Sequence, residues 1–437
     1  MLKTHTMEEV SPSLDGEEVT VAGNVSEIRD LGGIRFVVLR DGTGTLQITS
    51  KEENNAQVFE QIDDLAREYC VQVVGTVHKS DQSPGGREVH PSELTVLSEA
   101  ETQLPLDTTG EIDVGMDTRL DWRSLDLRRE KTKAVFEVEE ALIDGMVEHL
   151  QSRNFSRIFT PCLLGVASEG GSEIFPVAYY NQEAFLRQDP QLHRELAIAG
   201  NYEGVFDLGP SWRAEKSHTS RHLSEHRGLA VEMAYIEDET DPMELQEDLV
   251  IAGFEKVKEE CGNALDVLDV EVEIPERPFP VLEFPEIYDI LEERGKDIEY
   301  GTEPDREGET VLTEYVKEEY GSEIFFMNKF PFEEKGIFYA MKSDDPEWAR
   351  SVDMVYRGTE LSTGGQREHR YDQIIEQVEE LGMNQSDVEW YTKFLKYGVP
   401  PHGGFNIGIE RITMKLLGLD NIRDAALFPR DPNRLVP

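Results

Sequence analysis

Four short runs near the N-terminus, residues 18–25, 34–39, 45–49 and 70–77, alternate or cluster β-branched residues. Breaks between them fall on Gly32-Gly33 and on Asp41-Gly42-Thr43-Gly44. Alternation with a period of two, cut by glycine-rich turns, is the pattern of half-buried strands. Several such strands within residues 17–99 predict a small β-barrel of OB size. From Ala134 the period lengthens. Val135, Val138, Ala141, Leu142, Met146 and Leu150 recur at three- and four-residue steps, which predicts an amphipathic helix. Residues 155–164 read as a strand stopped by Pro161. Downstream, strand-like runs alternate with helical ones to the C-terminus, so a mixed α+β domain is expected. The acidic, mostly helical stretch 242–323 reads as an insertion into it. The expected organisation is a barrel over 1–104, a polar connector over 105–130, and the α+β domain over 131–437. The connector opens at Leu104-Pro105-Leu106-Asp107 and carries Arg119, Arg123, Arg128 and Arg129.

Composition sharpens this. The 437 residues carry 43 Lys+Arg against 89 Asp+Glu, a formal net charge of −46, with 38% hydrophobic residues. That apolar fraction suffices for the cores of two or three domains. No apolar run approaches the roughly 18–20 residues of a membrane span, and residues 1–10 are too polar for a signal peptide. Cys70, Cys162 and Cys261 are too widely spaced for a disulfide framework or a Cys-x-x-Cys metal site. A soluble, cytosolic protein is expected. Its acids are spread along the chain rather than gathered in a tail, which suggests a surface adapted to strong salt and a halophilic source. At molar ionic strength the Debye length falls to roughly 3 Å, and self-repulsion is largely screened. The same balance makes the chain globally a poor nucleic-acid binder, because non-specific phosphate binding needs cationic patches; any such binding must come from local basic spots.

Three clusters carry candidate chemistry. In the first, a strand through Val205-Phe206-Asp207 runs into Trp212-Arg213-Ala214-Glu215, followed by Arg221-His222-Leu223 and a second strand over 229–236. This reads as an antiparallel hairpin with two arginines at its mouth, and guanidinium binds phosphate oxygens bidentately. A solvated hairpin with an internal Arg–Glu pair fits the same letters. In the second, Glu360 and Thr363 lie three residues apart ahead of Gly364-Gly365-Gln366-Arg367. A carboxylate and a hydroxyl there suit Mg²⁺ shared with substrate phosphates; a glycine-rich turn between strands is the plainer alternative. In the third, Gly403-Gly404-Phe405-Asn406-Ile407-Gly408-Ile409-Glu410-Arg411 leads into an apolar-periodic helix. Glycines permit close backbone approach to a ligand, although an ordinary strand-to-helix turn reads alike.

Taken together and in this order, the clusters resemble the class II aminoacyl-tRNA synthetases. Arg213-Ala214-Glu215 with Arg221-His222-Leu223 resembles their motif 2, Gly408-Ile409-Glu410-Arg411 motif 3, and the helix–strand unit ending at Pro161 motif 1. Ser168-Glu169-Gly170-Gly171, residues 188–194, residues 362–367 and Leu427-Phe428-Pro429-Arg430-Asp431 are similar to the archaeal-type aspartyl-tRNA synthetases. Arg29-Asp30-Leu31-Gly32-Gly33 and Leu39-Arg40-Asp41-Gly42 resemble that family's anticodon-binding OB domain.

The resemblance implies an antiparallel catalytic sheet flanked by helices, a homodimer formed through motif 1, and ATP-dependent attachment of L-aspartate to tRNA(Asp), with tRNA(Asn) as a second acceptor. It implies that Arg213 holds the α-phosphate and substrate carboxylate, that Glu215 reads adenine, and that Arg221 and Arg411 bind the outer phosphates or, for Arg411, adenine. Ala214, His222, Leu223, Gly408, Ile409 and Glu410 complete the ATP site, and Glu360 and Thr363 hold Mg²⁺. Glu169, Gln191, Leu192, His193, Arg194, Thr363 and Arg367 surround the amino acid. Phe36 would stack an anticodon base, with Arg29, Gln47 and Glu88 at base edges; a barrel-core role for Phe36 is the alternative. The chain departs from the family pattern at Arg194 (usually Lys), His226 (usually larger apolar or aromatic) and Ala230 (usually an ammonium-binding Asp, for which Glu169 or Glu232 would have to stand in). An asparaginyl-tRNA synthetase, or a paralogue that binds tRNA without charging it, remain the alternatives. Against the former, two arginines opposite a neutral amide would waste buried charge.

Overall fold

Alternate valines set the first unit. Val19, Val21 and Val25 of strand β1 (Glu18–Asp30) are at most 1% exposed while their neighbours face outward. Strands β2 (Ile34–Arg40), β3 (Thr45–Lys51), β4 (Cys70–Lys79) and β5 (Arg87–Ser98) follow the same alternation and close a barrel in the order β1-β2-β3-β5-β4. Closure removes the sheet edges that would otherwise invite pairing with another chain. The β2–β3 turn is an Asx-type turn: Thr43 donates to Asp41 through both its N–H (2.8 Å) and its hydroxyl (2.7 Å). Gly23 is required where β1 crosses β2, because a Cβ there would lie 2.5 Å from the Arg40 carbonyl oxygen.

The structure, a computed structural model, describes residues 1–166, 173–214, 219–335 and 338–437. The chain divides into two units, Met1–Val114 and Gly115–Pro437. Among the described residues no helix is long and apolar enough to cross a membrane.

The second unit holds strands β6 (Ser156–Arg157), β7 (Leu163–Leu164), β8 (Pro176–Tyr179), β9 (Gln182–Leu186), β10 (Gly204–Trp212) and β11 (Glu225–Ala234). Then come β12 (Val281–Glu283), β13 (Ile324–Asn328), β14 (Ser351–Tyr356), β15 (Glu360–Gln366) and β16 (His402–Gly408). Eight of them form one sheet in the order β12-β13-β14-β15-β16-β11-β10-β6, antiparallel except at its two ends. Helices Glu130–Ser152 and Thr240–Glu260 cover one face, burying Leu142, Met146, Leu249 and Phe254 against Phe206, Val231 and Phe405. Their backbones meet closely. A Cβ on Gly145 would sit 2.5 Å from the Ala252 carbonyl oxygen, and one on Gly253 2.8 Å from Leu142.

Residues 155–164 do not make one strand. Pro161 lacks an N–H for a ladder, and the segment splits into β6 at the edge of the large sheet and β7 in a small β7-β9-β8 sheet. The stretch 242–323 also divides. Its first helix belongs to the central core, β12 joins the large sheet, and helices Glu286–Glu293 and Arg306–Tyr320 pack in a separate apolar cluster around Leu291, Leu312 and Phe325. Three of the connector's four arginines are structural pins: Arg119 at 2.9 Å, Arg123 at 2.7 Å and Arg129 at 3.5 Å surround the buried Asp126 carboxylate.

Candidate active site

The first cluster folds as the expected hairpin, with β10 and β11 antiparallel and Trp212 opposite Glu225. The second is itself a strand, β15, rather than a turn, and the third is strand β16 entering helix Ile409–Leu416. Because β15, β16 and β11 are neighbours, three segments distant in sequence share one sheet face. Cross-strand partners point to the same side, so Thr363, Asn406, Ala230 and Asp207 form one row across that face. In the next row Glu232 faces Gly404, and a Cβ on Gly404 would lie 2.6 Å from the Glu232 carboxylate.

Above these rows opens a cavity of about 340 Å³. At one end it is lined by Arg213, Arg221, His222, Leu223, Glu360, Gly408, Glu410 and Arg411. At the other end are Gln191, Arg194 and Arg367, and Thr363 lines the cavity beside Glu360. Arg213, Arg367 and Arg411 therefore converge on a single space.

The end around Arg411 and Glu360 is strongly organised. Arg411 Nη1 donates to both the carbonyl oxygen (3.0 Å) and the Oε1 (3.2 Å) of Glu360, and the Thr363 hydroxyl donates to the same Oε1 at 3.1 Å. Burial pushes the Glu360 carboxyl up, but Arg411, Lys335 and Arg213 outweigh it and hold it below its ordinary value. Burial, reinforced by Arg213 and Arg411, drives the His226 imidazole down to about 4, so it is neutral near pH 7 and presents a flat, uncharged ring. Glu410 is occupied by Arg227, at 2.9 Å.

The acid end is a buried ionic lattice. Arg367 donates through Nε to Glu232 Oε1 (3.0 Å) and through Nη2 to the Gly404 carbonyl oxygen (3.0 Å). Arg194 reaches Asp189 at 3.1 Å and lies 3.5 Å from Glu232. Glu195 accepts a hydrogen bond from the Tyr391 hydroxyl and sits 3.4 Å from His402. Burial raises Glu232, with Glu195 adding to it; Glu195 itself is held low by His402 and Arg367 despite its burial.

Several expected residues lie elsewhere. Leu192 and Ile409 are 4% and 0% exposed inside hydrophobic clusters, and His193 packs against Trp390 at 5.3 Å, so these three back the cavity instead of lining it. Ala214 contributes its backbone N–H to the Glu173 carbonyl. Glu169 and Glu215 lie outside the described residues. Glu232, considered as a stand-in for the carboxylate missing at Ala230, is occupied by the two arginines. Sequence reasoning did not single out Asp189, Asn406, Tyr339, Lys335 or Asp353. Lys335 lines the cavity and pairs with Asp353 and Glu303, each at 3.1 Å. Asp353 stands opposite Thr363 on β14, and burial pushes its carboxyl up to about 7, with Glu360 and Glu303 adding and Lys335 opposing. Its Oδ1 is buried without a hydrogen-bond partner. Two carboxylates and a hydroxyl, one oxygen orphaned, fit a hard divalent ion. A lone Asp in the apolar run Val352-Asp353-Met354-Val355 was the available signal.

In the first unit, register puts Arg29, Phe36 and Thr49 in one row, with Gln47 and Glu88 paired on the same face. Val37 and Leu39 fill the barrel core and Phe36 is not part of that cluster. Gln47 donates to Glu88 at 3.0 Å, and His90, Ser83, Thr49 and Gln47 bring the Glu88 carboxyl down to about 2 against its burial.

A barrel of this kind and an antiparallel sheet with arginines converging on one pocket define a class. Residues 115–432 match the family of tRNA synthetases class II (D, K and N), residues 19–97 match the OB-fold nucleic acid binding domain, and the chain belongs to that synthetase family. Among similar proteins are the aspartate–tRNA(Asp/Asn) ligase of Methanopyrus kandleri, 44% identical, and the aspartate–tRNA(Asp) ligase of Pyrococcus furiosus, 42% identical, each over 100% of both chains. Of solved structures, asparaginyl-tRNA synthetase from Pyrococcus horikoshii bound to asparaginyl-adenylate superposes with a TM-score of 0.92 at 35% identity over 100% of both chains. Aspartyl tRNA synthetase from Entamoeba histolytica gives 0.86 at 30% identity over 100% of this chain and 93% of that one.

Proposed function

We propose that this chain is an ATP-dependent ligase that attaches L-aspartate to tRNA(Asp), with tRNA(Asn) as a second acceptor. The substrate α-carboxylate attacks the α-phosphorus of ATP, forming a carboxyl–phosphate anhydride and releasing pyrophosphate. A ribose hydroxyl at the tRNA end then attacks the acyl carbon, and AMP leaves. Both steps need positioning and phosphate neutralisation more than a side-chain nucleophile. The cavity offers that division: Arg213, Arg221 and Arg411 on the phosphate side, and Arg194 and Arg367 on the acid side. Neutral His226 suits the adenine face. A divalent ion held by Glu360, Thr363 and Asp353 would neutralise phosphate charge. The observation that carries the function is this convergence of two sets of guanidiniums, in a chain whose full-length relatives are named aspartate ligases. ATP–pyrophosphate exchange with aspartate, in molar KCl, tests it.

One observation favours asparagine as the substrate instead. The arginines do not stand unpaired, since Asp189, Glu195 and Glu232 already face them, so their charge alone does not select a carboxylate. Exchange supported by asparagine and not by aspartate would establish that reading.

Acceptor choice would rest on the barrel face carrying Phe36, Arg29, Gln47 and Glu88, where small Ser26 and Pro84 leave room for either third anticodon base. A second copy of the chain would cover Phe159 and Tyr180, 86% and 91% exposed on either side of Pro161, and light scattering distinguishes dimer from monomer. The three unpaired cysteines suit a cytoplasmic enzyme.

A further inference from the structure

Pyrophosphate made in this cavity has to leave it, and a polyanion is steered by cations along its path. The chain carries 89 acids against 43 Lys+Arg, so a local excess of cations is an exception to its surface. One such group adjoins the Arg221 and Arg411 end of the cavity. Arg411 and Lys415 lie four residues apart on helix Ile409–Leu416 and share a face. Arg306 and Glu309 lie three apart at the start of helix Arg306–Tyr320, and Glu309 reaches Arg221 at 3.9 Å. Neither Arg306 nor Lys415 lines the cavity itself.

The neighbouring acids are engaged by other partners. Asp305 caps its helix by accepting from the Gly308 N–H at 2.9 Å, and Asp305 and Glu307 both hold Lys296, at 3.0 and 2.6 Å. Glu323 holds Arg357 at 2.7 Å, and Glu360 is bound by Arg411. Lys415 Nζ donates to the Arg357 carbonyl oxygen at 3.0 Å, and Arg357 Nη1 donates to the Lys415 carbonyl oxygen at 3.1 Å. This pins the lysine and leaves two of its three N–H donors. Among the described residues no carboxylate pairs with Lys415 or Arg306. Burial lowers the Lys415 ammonium, with Arg221, Arg306 and Arg357 adding and Glu309 opposing. Burial lifts the Glu309 carboxyl to about 7, with Glu360 and Asp305 adding against Arg221 and Arg411. The one acid among these cations is therefore about half protonated near neutral pH. What remains is a patch of unmatched positive charge, with Arg306 exposed at its outer edge.

We propose that Arg306 and Lys415, together with Arg221, form a second anion station that receives inorganic pyrophosphate as it leaves the cavity. This rests on the amino-acid-activating function above and goes beyond it, because the station lies outside the cavity wall. Pyrophosphate is a compact polyanion with oxygens at both ends, so Arg221 can hold one phosphoryl group while Arg306 and Lys415 draw the other. In the reverse reaction the same cations deliver pyrophosphate to the adenylate.

The test is pyrophosphate kinetics at one fixed KCl concentration, because screening sets the strength of such contacts. In ATP–pyrophosphate exchange, Arg306→Gln combined with Lys415→Gln should raise the KM for pyrophosphate at least about tenfold, the loss of one charge-assisted contact. The KM for ATP should change less than about twofold. Arg306→Lys with Lys415→Arg keeps both charges and should hold the pyrophosphate KM within about threefold of the unsubstituted chain. An unchanged pyrophosphate KM in the Gln variant, or equal weakening of ATP and pyrophosphate, would overturn the proposal. A higher KM for tRNA in charging, with pyrophosphate unaffected, would give these cations to the tRNA backbone and overturn it as well. If the unsubstituted chain exchanges with neither aspartate nor asparagine, the activating function fails separately. Calorimetric titration of pyrophosphate into the unsubstituted and doubly substituted chains then decides the station. Binding at least about tenfold weaker in the Gln variant supports it, and equal binding, or none to either chain, refutes it.

Discussion

Glu232 accepts a hydrogen bond from Arg367 Nε at 3.0 Å, and the two residues are 0% and 6% exposed. The pair sits at the end of a lattice in which Arg194, Asp189, Glu195 and His402 each depend on a neighbour for compensation. This end of the cavity is thus held by its own ion pairs, with Glu232 facing both guanidiniums.

Removing one partner of such a pair leaves the other buried and unpaired. Arg367→Ala should therefore cost about 3–5 kcal/mol of stability, measured by chemical denaturation in molar KCl. It should also lower kcat/KM for amino-acid activation at least about a hundredfold. A stably folded variant with unchanged kcat/KM would remove Arg367 from the pocket.

Stability should also respond to pH through Glu139. Burial, with Glu410 adding and Arg227 opposing, pushes its carboxyl up from 4.5 to about 7. The folded state then holds this proton where the unfolded chain has lost it, so stability is complete below about pH 4.5 and falls as pH rises towards 7. The loss is at most about 3 kcal/mol. Urea denaturation of Glu139→Gln should show a shallower decline between pH 5 and 7.5 than the unsubstituted chain; parallel curves would argue that Glu139 is ionised in the fold.

The two units should separate functionally. Each has its own apolar core, Val21, Val37, Ile48 and Val73 in one and Leu142, Phe206, Phe254 and Phe405 in the other. A chain comprising residues 115–437 should fold and retain pyrophosphate exchange while losing tRNA charging. Full charging by that fragment would refute an anticodon role for the barrel.

A net charge of −46 should make stability depend on salt. Screening at molar KCl removes most of the self-repulsion, so a thermal melt should shift upward between dilute and molar KCl. Equal midpoints would count against adaptation to strong salt.

Much of the site was legible because its chemistry is local. Arg213 and Arg221 lie in the connection between two strands, and Arg411 lies in the first turn of a helix that follows a glycine-rich strand, and each such junction can be read from a few consecutive letters. Alternation likewise found the barrel, since each strand declares its buried face by itself. What stayed hidden depends on register between distant strands. Nothing near Asp189 in sequence announces Asn406, 217 residues away, as its clamp, and Glu232 reads as a lone acid in an apolar strand until β15 brings Arg367 to it. Pro161 was seen, but that it divides its segment between two sheets follows from which partners are near, not from the proline itself.

The most direct test is aspartate-dependent ATP–pyrophosphate exchange by the full chain in molar KCl, alongside Arg213→Ala, Arg367→Ala and Arg411→Ala. One cavity serving both nucleotide and amino acid predicts exchange by the unsubstituted chain and its near-abolition in all three folded variants. Exchange that survives any one of these substitutions at full rate, or is absent from the unsubstituted chain with both aspartate and asparagine, would contradict it.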